Sequence, residues 1–386
     1  LGVLSTDLVR AVGGFRVGLE SSQDWDLVLR CIERVEPRQI RHIPRVLYHW
    51  RVHGESTAKS MQAKPYAAVA GERALDEHFA RTGVQAKAEY LGYGFRARYA
   101  LPPAPPLVSL IIPTRNAQAL VRQCVESIEA KTDYANHEII LVDNGSDDPA
   151  ALAYFQELAK RPNVRVLRDD RPFNYDALNN AAVAQARGEL VALVNNDIEV
   201  ITPDWLSEMV SIALQPGVGA VGARLWYPGM TLQHAGVILG IGGIAAHSHR
   251  GMPAGREGYG GRAGLIQSFS AVTAACLVIR KSIYEQVGGF DEVNLQVAFN
   301  DVDFCLRLGE AGYRNVWTPF AELMHHESAT RGKDLSPEKR ARFEREVAYM
   351  HQRWDPILQN DPAYSPNLML AREDFSYAWP PRLAPL

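Results

Sequence analysis

The segment Leu190-Val-Ala-Leu-Val-Asn-Asn-Asp-Ile-Glu-Val200 decides the fold of this chain. Its first five residues are apolar and rich in valine and leucine, which is typical of a strand buried on both faces of a parallel sheet. Asn195, Asn196 and Asp197 follow directly and are therefore predicted to lie at the carboxyl edge of that sheet, where open α/β folds bind ligands. A simple strand-ending turn is the alternative interpretation, because asparagine and aspartate are common turn formers.

Two further apolar segments have the same plan. Leu107-Val-Ser-Leu-Ile-Ile112 ends at Pro113-Thr-Arg-Asn116, and the segment 138–142 ends at Asp143 and Asn144. Another strand is predicted at 164–167, and helical periodicity is found at 119–130, 149–160 and 175–187. Strands that alternate with helices predict an α/β fold with a mainly parallel sheet, flanked by helices. The polar ends of the three strands then converge on one edge of the sheet.

The composition is that of an ordinary globular protein of two or three domains, with 386 residues, 47% hydrophobic and 22% charged. A formal net charge of -3 provides no basic field, which argues against a nucleic-acid partner. The four cysteines form no CxxC pair and are interpreted as reduced core residues of a cytoplasmic protein. With no signal peptide or apolar run of membrane-spanning length, any membrane contact is predicted to be peripheral, on the inner face of the cytoplasmic membrane.

The chain contains an internal repeat. The earlier copy consists of Val12-Gly-Gly-Phe-Arg16, Gln23-Asp-Trp-Asp-Leu-Val-Leu-Arg30 and Tyr48-His-Trp50. The later copy consists of Val287-Gly-Gly-Phe-Asp291, Asn300-Asp-Val-Asp-Phe-Cys-Leu-Arg307 and Met324-His-His326. Their order and approximate spacing match.

The repeat predicts four parts of the chain. Residues 1–60 are expected to be the closing half of a preceding domain, truncated at its start because no counterpart of the apolar strands comes before it. Residues 61–106 are expected to form a helix and a proline-rich linker, 107–332 the complete domain, and 333–386 a C-terminal helix and tail.

A series of motifs in the complete domain carries a family resemblance. The motifs are Ser109-Leu-Ile-Ile-Pro-Thr-Arg-Asn116, Leu141-Val-Asp-Asn-Gly-Ser146, Leu193-Val-Asn-Asn-Asp197, Gly288-Gly-Phe290 and Asn300-Asp-Val-Asp303. The series resembles the family 2 glycosyltransferases. It is most similar to the branch that builds bacterial O-antigen and related surface polysaccharides, often as rhamnosyltransferases. The match spans roughly 107–332.

The resemblance implies a GT-A fold of Rossmann-like character, a nucleotide-diphosphate sugar donor, a divalent cation and inversion at the anomeric carbon. By their positions in the motifs, Thr114 and Asp143 are expected to contact the nucleotide, and Asp197 is the acidic end of the metal-binding DxD motif. Asp301 is expected to be the general base, and His325 a second metal ligand.

Two positions depart from the family's pattern. The DxD equivalent reads Asn195-Asn196-Asp197, which keeps one carboxylate and lowers the expected metal affinity. Where many relatives have Glu-Asp before the helix, this chain has Asn300-Asp301, so the base position itself is kept.

The residues also support a chemical interpretation of the acidic and histidine positions. Inverting transfer needs a carboxylate that takes the proton of the attacking hydroxyl, and Asp301 is assigned this role. Asp303 is interpreted as a structural acid of a first helical turn. Adjacent histidines on an extended segment point to opposite faces, so only one of them, taken to be His325, can reach a metal. Its imidazole favours Mn²⁺ over Mg²⁺.

The remaining candidate residues fall into two groups. Those expected to bind the nucleotide or donor are Pro113, Thr114, Asn116, Asp143, Asn144, Asn179, Asn195 and Asn196. Residues that could contact the acceptor or the diphosphate are His234, His247, Arg250 and Asn300. The long irregular segment 222–275 is interpreted as the place where specificity resides, although its polar residues could equally be solvated loop residues.

The sequence therefore predicts an inverting, metal-dependent glycosyltransferase. Its donor is expected to be UDP- or dTDP-linked, with rhamnose as one candidate sugar, and its acceptor an oligosaccharide or lipid-linked glycan of a growing surface polysaccharide. One alternative is a non-catalytic glycan-binding or scaffolding module. A second alternative, a sugar-1-phosphate nucleotidyltransferase, would need a glycine-rich, basic phosphate loop, and the segment 113–116 is not one.

Overall fold

The computed structural model describes residues 2–49, 65–327 and 336–383. The chain divides into two compact units, one formed mainly by residues up to Ala100 and the other by Leu101–Arg382. In the described parts of the chain, no helix combines the length and the apolar character that crossing a membrane requires.

The first unit combines three helices with a two-stranded hairpin. Its elements are α1 Thr6–Ala11, α2 Gln23–Ile32, α3 Pro65–Thr82, β1 Ala86–Tyr90 and β2 Phe95–Tyr99, with a 3₁₀ turn at Pro37–Gln39. β1 and β2 pair antiparallel, and backbone N–H groups of β1 donate to Asp76 and Glu72 of α3. The sequence pattern predicts a helix and a linker over 61–106 but not this hairpin, because the alternating positions of its strands are filled by alanines and charged residues rather than by branched apolar ones.

A buried arginine ties the repeated motif together in the first unit. Arg30 of α2 donates to the carbonyl oxygens of Val12 and Gly14, at 2.5 and 2.6 Å. The same guanidinium is 2.6 Å from the carboxylate of Asp26, which is completely buried. The glycine turn after α1 is thereby attached to α2.

The second unit is a mixed sheet covered by helices. Its strands are β3 Val108–Thr114, β4 His137–Asp143, β5 Val164–Arg168, β6 Leu190–Val194, β7 Ile198–Val200, β8 Val218–Trp226, β9 Leu232–His234, β10 Val237–Leu239, β11 Ala245–His247, β12 Gln267–Phe269, β13 Cys276–Arg280 and β14 Arg314–His325. Its helices are α4 Gln118–Lys131, α5 Pro149–Leu158, α6 Tyr175–Gln185, α7 Trp205–Ala213, α8 Lys281–Gln286, α9 Asn300–Glu310 and α10 Pro337–Gln359, with 3₁₀ turns at Ile241–Gly243 and Tyr259–Gly264.

The strand order of the large sheet is β12-β14-β8-β13-β6-β3-β4-β5, with β7 paired to β14 and β9 to β8. The block β6-β3-β4-β5 is parallel, as is the β8–β14 pair, whereas β13 runs antiparallel to both of its neighbours. β10 and β11 form a separate hairpin. The α/β architecture expected from the alternating pattern is confirmed.

The central strand β6 positions the functional edge. All five of its residues are completely buried, between β3 on one side and β13 on the other. The strand ends where Asn195 begins, so the polar triplet leaves the core at the carboxyl edge of the parallel block, as its sequence predicted.

The repeated motif returns in the second unit with the same connections. Arg307 of α9 donates to the carbonyl oxygen of Val287 at 2.6 Å and to the carboxylate of Asp303 at 2.7 Å. Asp303 is completely buried, and it also accepts a hydrogen bond from Trp354 Nε1 of α10 at 2.8 Å. These contacts give Asp303 a structural role and attach the C-terminal helix to α9.

Candidate functional site

A cavity of about 730 Å³ opens at the carboxyl edge of the sheet in the second unit. It lies between the loops that follow β3 and β6 and the start of α9. Most of the predicted site residues line it, namely Pro113, Thr114, Asn116, Asn144, Asn195, Asn196, Asp197, His247, Asn300, Asp301 and His325. Residues from six separate stretches of the chain therefore meet in one space, which has the size of a small-molecule site.

Asp197 and His325 face each other in this cavity. The Asp197 Oδ1 atom is 3.1 Å from His325 Nε2. His325 Nδ1 is 2.6 Å from Gln233 Oε1, while the Gln233 amide nitrogen donates to the Glu327 carboxylate at 2.9 Å. Because the amide oxygen can only accept, the proton of a neutral His325 is on Nδ1, which leaves Nε2 as an acceptor that faces Asp197 and the Asn195 amide nitrogen, 3.4 Å away.

These two residues fit a divalent cation. Asp197 Oδ1 is a buried atom that receives no hydrogen bond from any described residue. Two ligands at right angles, each roughly 2.1 Å from a metal ion, stand about 3 Å apart, which matches the observed separation. The described residues contain no group of three or more His, Cys, Asp or Glu side chains able to hold a metal. The pair is therefore suited to a cation that takes its other ligands from water and substrate phosphates, as Mg²⁺ and Mn²⁺ do.

Asp301 lies on another wall of the cavity, in the first turn of α9. Its Oδ2 accepts from the Ala274 N–H at 3.1 Å and its Oδ1 from the Val302 N–H at 2.9 Å. Phe299, which precedes the helix, has a φ of 60°, a conformation that is rare for a bulky side chain and is found at functional sites. The carboxylate is thus held in place while remaining partly exposed to the cavity.

A buried aspartate, Asp176, is linked to Asp301 through the side chain of Asn300. Asn300 Nδ2 donates to Asp176 Oδ1 at 2.7 Å, and Asn300 Oδ1 accepts from the Asp301 N–H at 2.8 Å. Burial raises the pKa of Asp176 to about 9, and the nearby Asp301 carboxylate adds to the effect, against the opposing hydrogen bond from Asn300. Asp176 is therefore neutral at pH 7 and adds no second negative charge beside Asp301. Asn300 was a candidate ligand contact, but both ends of its amide are used by these bonds.

Several of the predicted donor-binding side chains hold the loops of this edge. Thr114 Oγ1 accepts from Asn196 Nδ2 at 2.9 Å, which links the ends of β3 and β6. The Asn116 amide bonds Asp147 and the backbone N–H of Asp148. Asn144 Nδ2 donates to two carbonyl oxygens of the β5–α6 loop, at 3.0 and 2.8 Å. Asn116 and Asn144 therefore shape the wall of the cavity with amides that are already paired.

Four predicted contacts are not among the residues that line the cavity, namely Asp143, Asn179, Arg250 and His234. Asp143 is buried, its carboxylate is paired with Arg168 at 2.7 Å, and it is not among the residues that line the cavity. Asn179 is completely buried within α6, where its amide donates to a helix carbonyl. Arg250 is exposed and pairs with Glu373 at 3.1 Å. The charged groups of Asp143 and Arg250 are thus paired with residues distant in sequence, and the Asn179 amide nitrogen donates to the backbone of its own helix.

The two predicted loop histidines are in contact but only one lines the cavity. His234 is completely buried, and its Nδ1 is 2.9 Å from Nδ1 of His247, which is the one at the cavity surface. His326 points to the opposite face of β14 from His325 and is 3.3 Å from Glu199, in keeping with the alternation expected for adjacent histidines.

Sequence reasoning missed Asp176, Gln233, Glu327 and Tyr175. Glu327 could have been found, because it is two residues beyond His325 on an extended segment and therefore shares its face. Tyr175, whose hydroxyl donates to the Ala274 carbonyl at 3.2 Å, gives no such signal. Gln233 and Asp176 can likewise be identified only from the structure, because their hydrogen-bond partners His325 and Asn300 are distant in sequence.

The chain resembles known proteins over most of its length. Residues 109–288 match the family model described as Glycosyl transferase family 2. The chain is 56% identical over 384 residues to the uncharacterized protein y4gI of Sinorhizobium fredii, covering 98% of this chain and 42% of that protein. It is 39% identical over 376 residues to the O-antigen biosynthesis protein RfbC of Myxococcus xanthus, covering 96% of this chain and 29% of that protein.

A third relative is similar over much of its own length. It is the N-acetylglucosaminyl-diphospho-decaprenol L-rhamnosyltransferase of Mycobacterium tuberculosis, 30% identical over 215 residues, with 51% of this chain and 68% of that protein covered. The structure of GalNAc-T7 with UDP, GalNAc and Mn²⁺ superposes with a TM-score of 0.50 at 12% identity, covering 69% of this chain and 60% of that one. This likeness shows the fold, which is GT-A. The chain spans less than half the length of the first two relatives.

Proposed function

Because this chain belongs to glycosyl transferase family 2 and is of the O-antigen and rhamnosyltransferase type, we propose that its second unit is an inverting glycosyltransferase. It moves a sugar from a nucleoside-diphosphate donor to a hydroxyl of a bacterial surface polysaccharide. The observation that carries the proposal is the presence of the Asp301 carboxylate and the Asp197–His325 pair in the same cavity. One supplies a base and the other a place for the charged diphosphate.

In this proposal Asp301 is the general base. The acceptor oxygen forms a bond to the anomeric carbon as the bond to the diphosphate oxygen breaks, and the acceptor proton passes to Asp301. The N–H groups of Ala274 and Val302 keep the carboxylate oriented during the attack. Asp197 and His325 would hold a divalent cation, which when bound stabilises the negative charge of the departing diphosphate.

The sugar, the acceptor and the location are also proposals. The name of the Mycobacterium tuberculosis relative supports rhamnose as the sugar and a lipid-linked glycan as the acceptor. We propose dTDP or UDP as the donor nucleotide. The name of the Myxococcus xanthus relative supports O-antigen synthesis. We propose a cytoplasmic location, at the inner face of the membrane. It is supported by the four cysteines, which are all buried and form no disulfide.

Calorimetric titration of UDP, dTDP, GDP and CDP, each with and without Mn²⁺, tests the donor site. We expect one diphosphate to bind only in the presence of Mn²⁺. The Asp301→Asn variant should bind that diphosphate with unchanged affinity and lose at least ~100-fold in transfer rate. A variant that transfers at the full rate would refute the assignment of the base. If no diphosphate binds, the result would favour a non-catalytic, glycan-binding module. This module is the leading alternative because the segment 195–197 keeps only one carboxylate for a metal.

We also propose that residues 1–60 are the C-terminal half of a preceding domain of the same type. Trp25 and Val28 of α2 are each 46% exposed, whereas their repeat counterparts Val302 and Cys305 are 4% and 0% exposed against the sheet. On this face of α2 the Trp25 ring contacts Phe95 of the β1–β2 hairpin, with ring centroids 5.2 Å apart, but Trp25 and Val28 both remain half exposed. Val28→Ser should therefore leave the urea unfolding midpoint unchanged, whereas Leu27→Ser, on the buried face, should lower it. Equal losses would show that both faces are already packed.

A further inference from the structure

Two neutral histidines form a chain of hydrogen bonds that ends at the cavity. The Thr273 N–H is 3.4 Å from His234 Nε2, and His234 Nδ1 is 2.9 Å from His247 Nδ1. The two imidazole planes are nearly perpendicular, at 87°. His234 is completely buried, whereas His247 is partly exposed on the cavity wall.

This geometry determines where each proton lies. A backbone N–H can only donate, so His234 Nε2 accepts and a neutral His234 carries its proton on Nδ1. That proton is donated to His247 Nδ1, which leaves the proton of His247 on Nε2. Burial lowers the pKa of both imidazoles, so neither ring takes a second proton at pH 7. His247 therefore offers the ligand a neutral N–H donor.

The surroundings of His247 distinguish the two kinds of ligand that the cavity is proposed to hold. The charged or titratable groups near it are the carboxylates of Asp301 and Glu327, the Arg250 guanidinium and the His325 imidazole. The two carboxylates line the cavity together with His247, whereas Arg250 is exposed and paired with Glu373. A neutral donor beside two carboxylates does nothing to offset the charge of a diphosphate. It is suited to a neutral hydroxyl.

We propose that His247 Nε2–H binds a hydroxyl oxygen of the acceptor sugar beside Asp301, and that His234 is a positioning residue that acts through His247. This proposal rests on the proposed glycosyltransferase function. A sugar hydroxyl is both a donor and an acceptor. With Asp301 accepting from one acceptor hydroxyl and His247 donating to a neighbouring one, the sugar is oriented through two adjacent oxygens. Sites built to hydrogen-bond a hydroxyl discriminate strongly against analogues that lack it, so His247 determines acceptor specificity.

The proton positions can be measured without any substrate. In protein labelled with ¹⁵N-histidine, long-range ¹H–¹⁵N correlation at pH 7.5 should show His234 protonated on Nδ1 and His247 on Nε2. Signals are assigned with the His234→Asn and His247→Gln variants, and His351→Gln, exposed on α10, is the control that should perturb neither ring. The inference is overturned if His247 carries its proton on Nδ1 or is doubly protonated.

The ligand assignment is tested by comparing donor and acceptor binding. With dTDP-rhamnose and a short-chain prenyl-diphosphate-linked N-acetylglucosamine, His247→Leu should raise the acceptor KM ~10- to 100-fold. The affinity for dTDP with Mn²⁺ should not change. His247→Gln, which keeps an N–H donor, should stay within a few-fold of the native KM.

Variants of the buried ring separate positioning from simple structure. His234→Asn retains an acceptor for the Thr273 N–H and a donor for His247, so it should keep most of the acceptor affinity, whereas His234→Leu should behave like His247→Leu. A loss of dTDP affinity in His247→Leu as large as the rise in KM would overturn the assignment to the acceptor. If the native protein binds no nucleotide, the proposed function is refuted. The proton positions of His234 and His247 are tested separately, by the NMR result alone.

Discussion

The Asp176→Asn variant tests whether the folded protein keeps the Asp176 carboxyl group protonated at a pH far above the ordinary pKa of such a group. Asp176 is completely buried, and its Oδ1 accepts from Asn300 at 2.7 Å. Its Oδ2 is buried without a hydrogen-bond partner among the described residues. The pKa of about 9, against an ordinary 3.8, means that only the neutral acid suits this position. Asparagine has nearly the same shape and carries no charge at any relevant pH.

The magnitude follows from proton linkage. Because the folded pKa of Asp176 is raised, its contribution to stability is complete below pH ~4 and is lost as pH rises towards 9. Between these limits the folded state binds one more proton than the unfolded state, which lowers the free energy of unfolding by about 1.4 kcal/mol per pH unit. The Asp176→Asn variant lacks this slope. From pH 5.5 to 8.5 its stability relative to the native protein should therefore rise by about 4 kcal/mol.

Urea unfolding at pH 5.5, 7.0 and 8.5, followed by tryptophan fluorescence, measures this difference. Asp133→Asn, at an exposed position of the same unit, serves as the control and should show the same pH dependence as the native protein. The transfer rate of Asp176→Asn should stay close to native, because the hydrogen bond to Asn300 is kept. A stability difference that is constant across the three pH values would refute the assignment of a buried neutral acid.

Two further substitutions test the metal pair and the repeated ion pair. Gln233→Leu removes the acceptor that holds the His325 proton on Nδ1, so the affinity for the diphosphate in the presence of Mn²⁺ should fall ~10- to 100-fold in calorimetry, while binding without Mn²⁺ should stay undetectable, as in the native protein. Arg307→Leu leaves the buried Asp303 carboxylate without its nearest cation and should lower the free energy of unfolding by roughly 3–5 kcal/mol in urea, whereas Arg340→Leu, on the exposed side of α10, should change it by less than about 1 kcal/mol. Equal effects of the two arginine substitutions would contradict the structural role of the Asp303 pair.

The fold was predictable to the extent that it depends on local patterns. The apolar run at 190–194 indicated a strand buried on both faces, and the alternation with helical segments indicated an α/β sheet with its polar strand ends on one edge. The hairpin at 86–99 was missed because alanine and charged residues alternate there without the branched side chains that usually mark a strand. The hydrophobic pattern also could not predict that β13 lies antiparallel next to β6, because strand order depends on contacts between residues that are distant in sequence.

By itself, the sequence determined which residues could do chemistry: the polar ends of the strands, the acid at the start of α9 and the histidine at the end of the last long strand. Only the tertiary structure decided their states. Asp143 is paired with Arg168 and does not line the cavity, burial keeps Asp176 neutral, and the hydrogen bond from His234 determines which nitrogen of His247 carries the proton. The physical reason is that charge and proton position depend on burial and on hydrogen-bond partners, and these come from residues that only folding brings together.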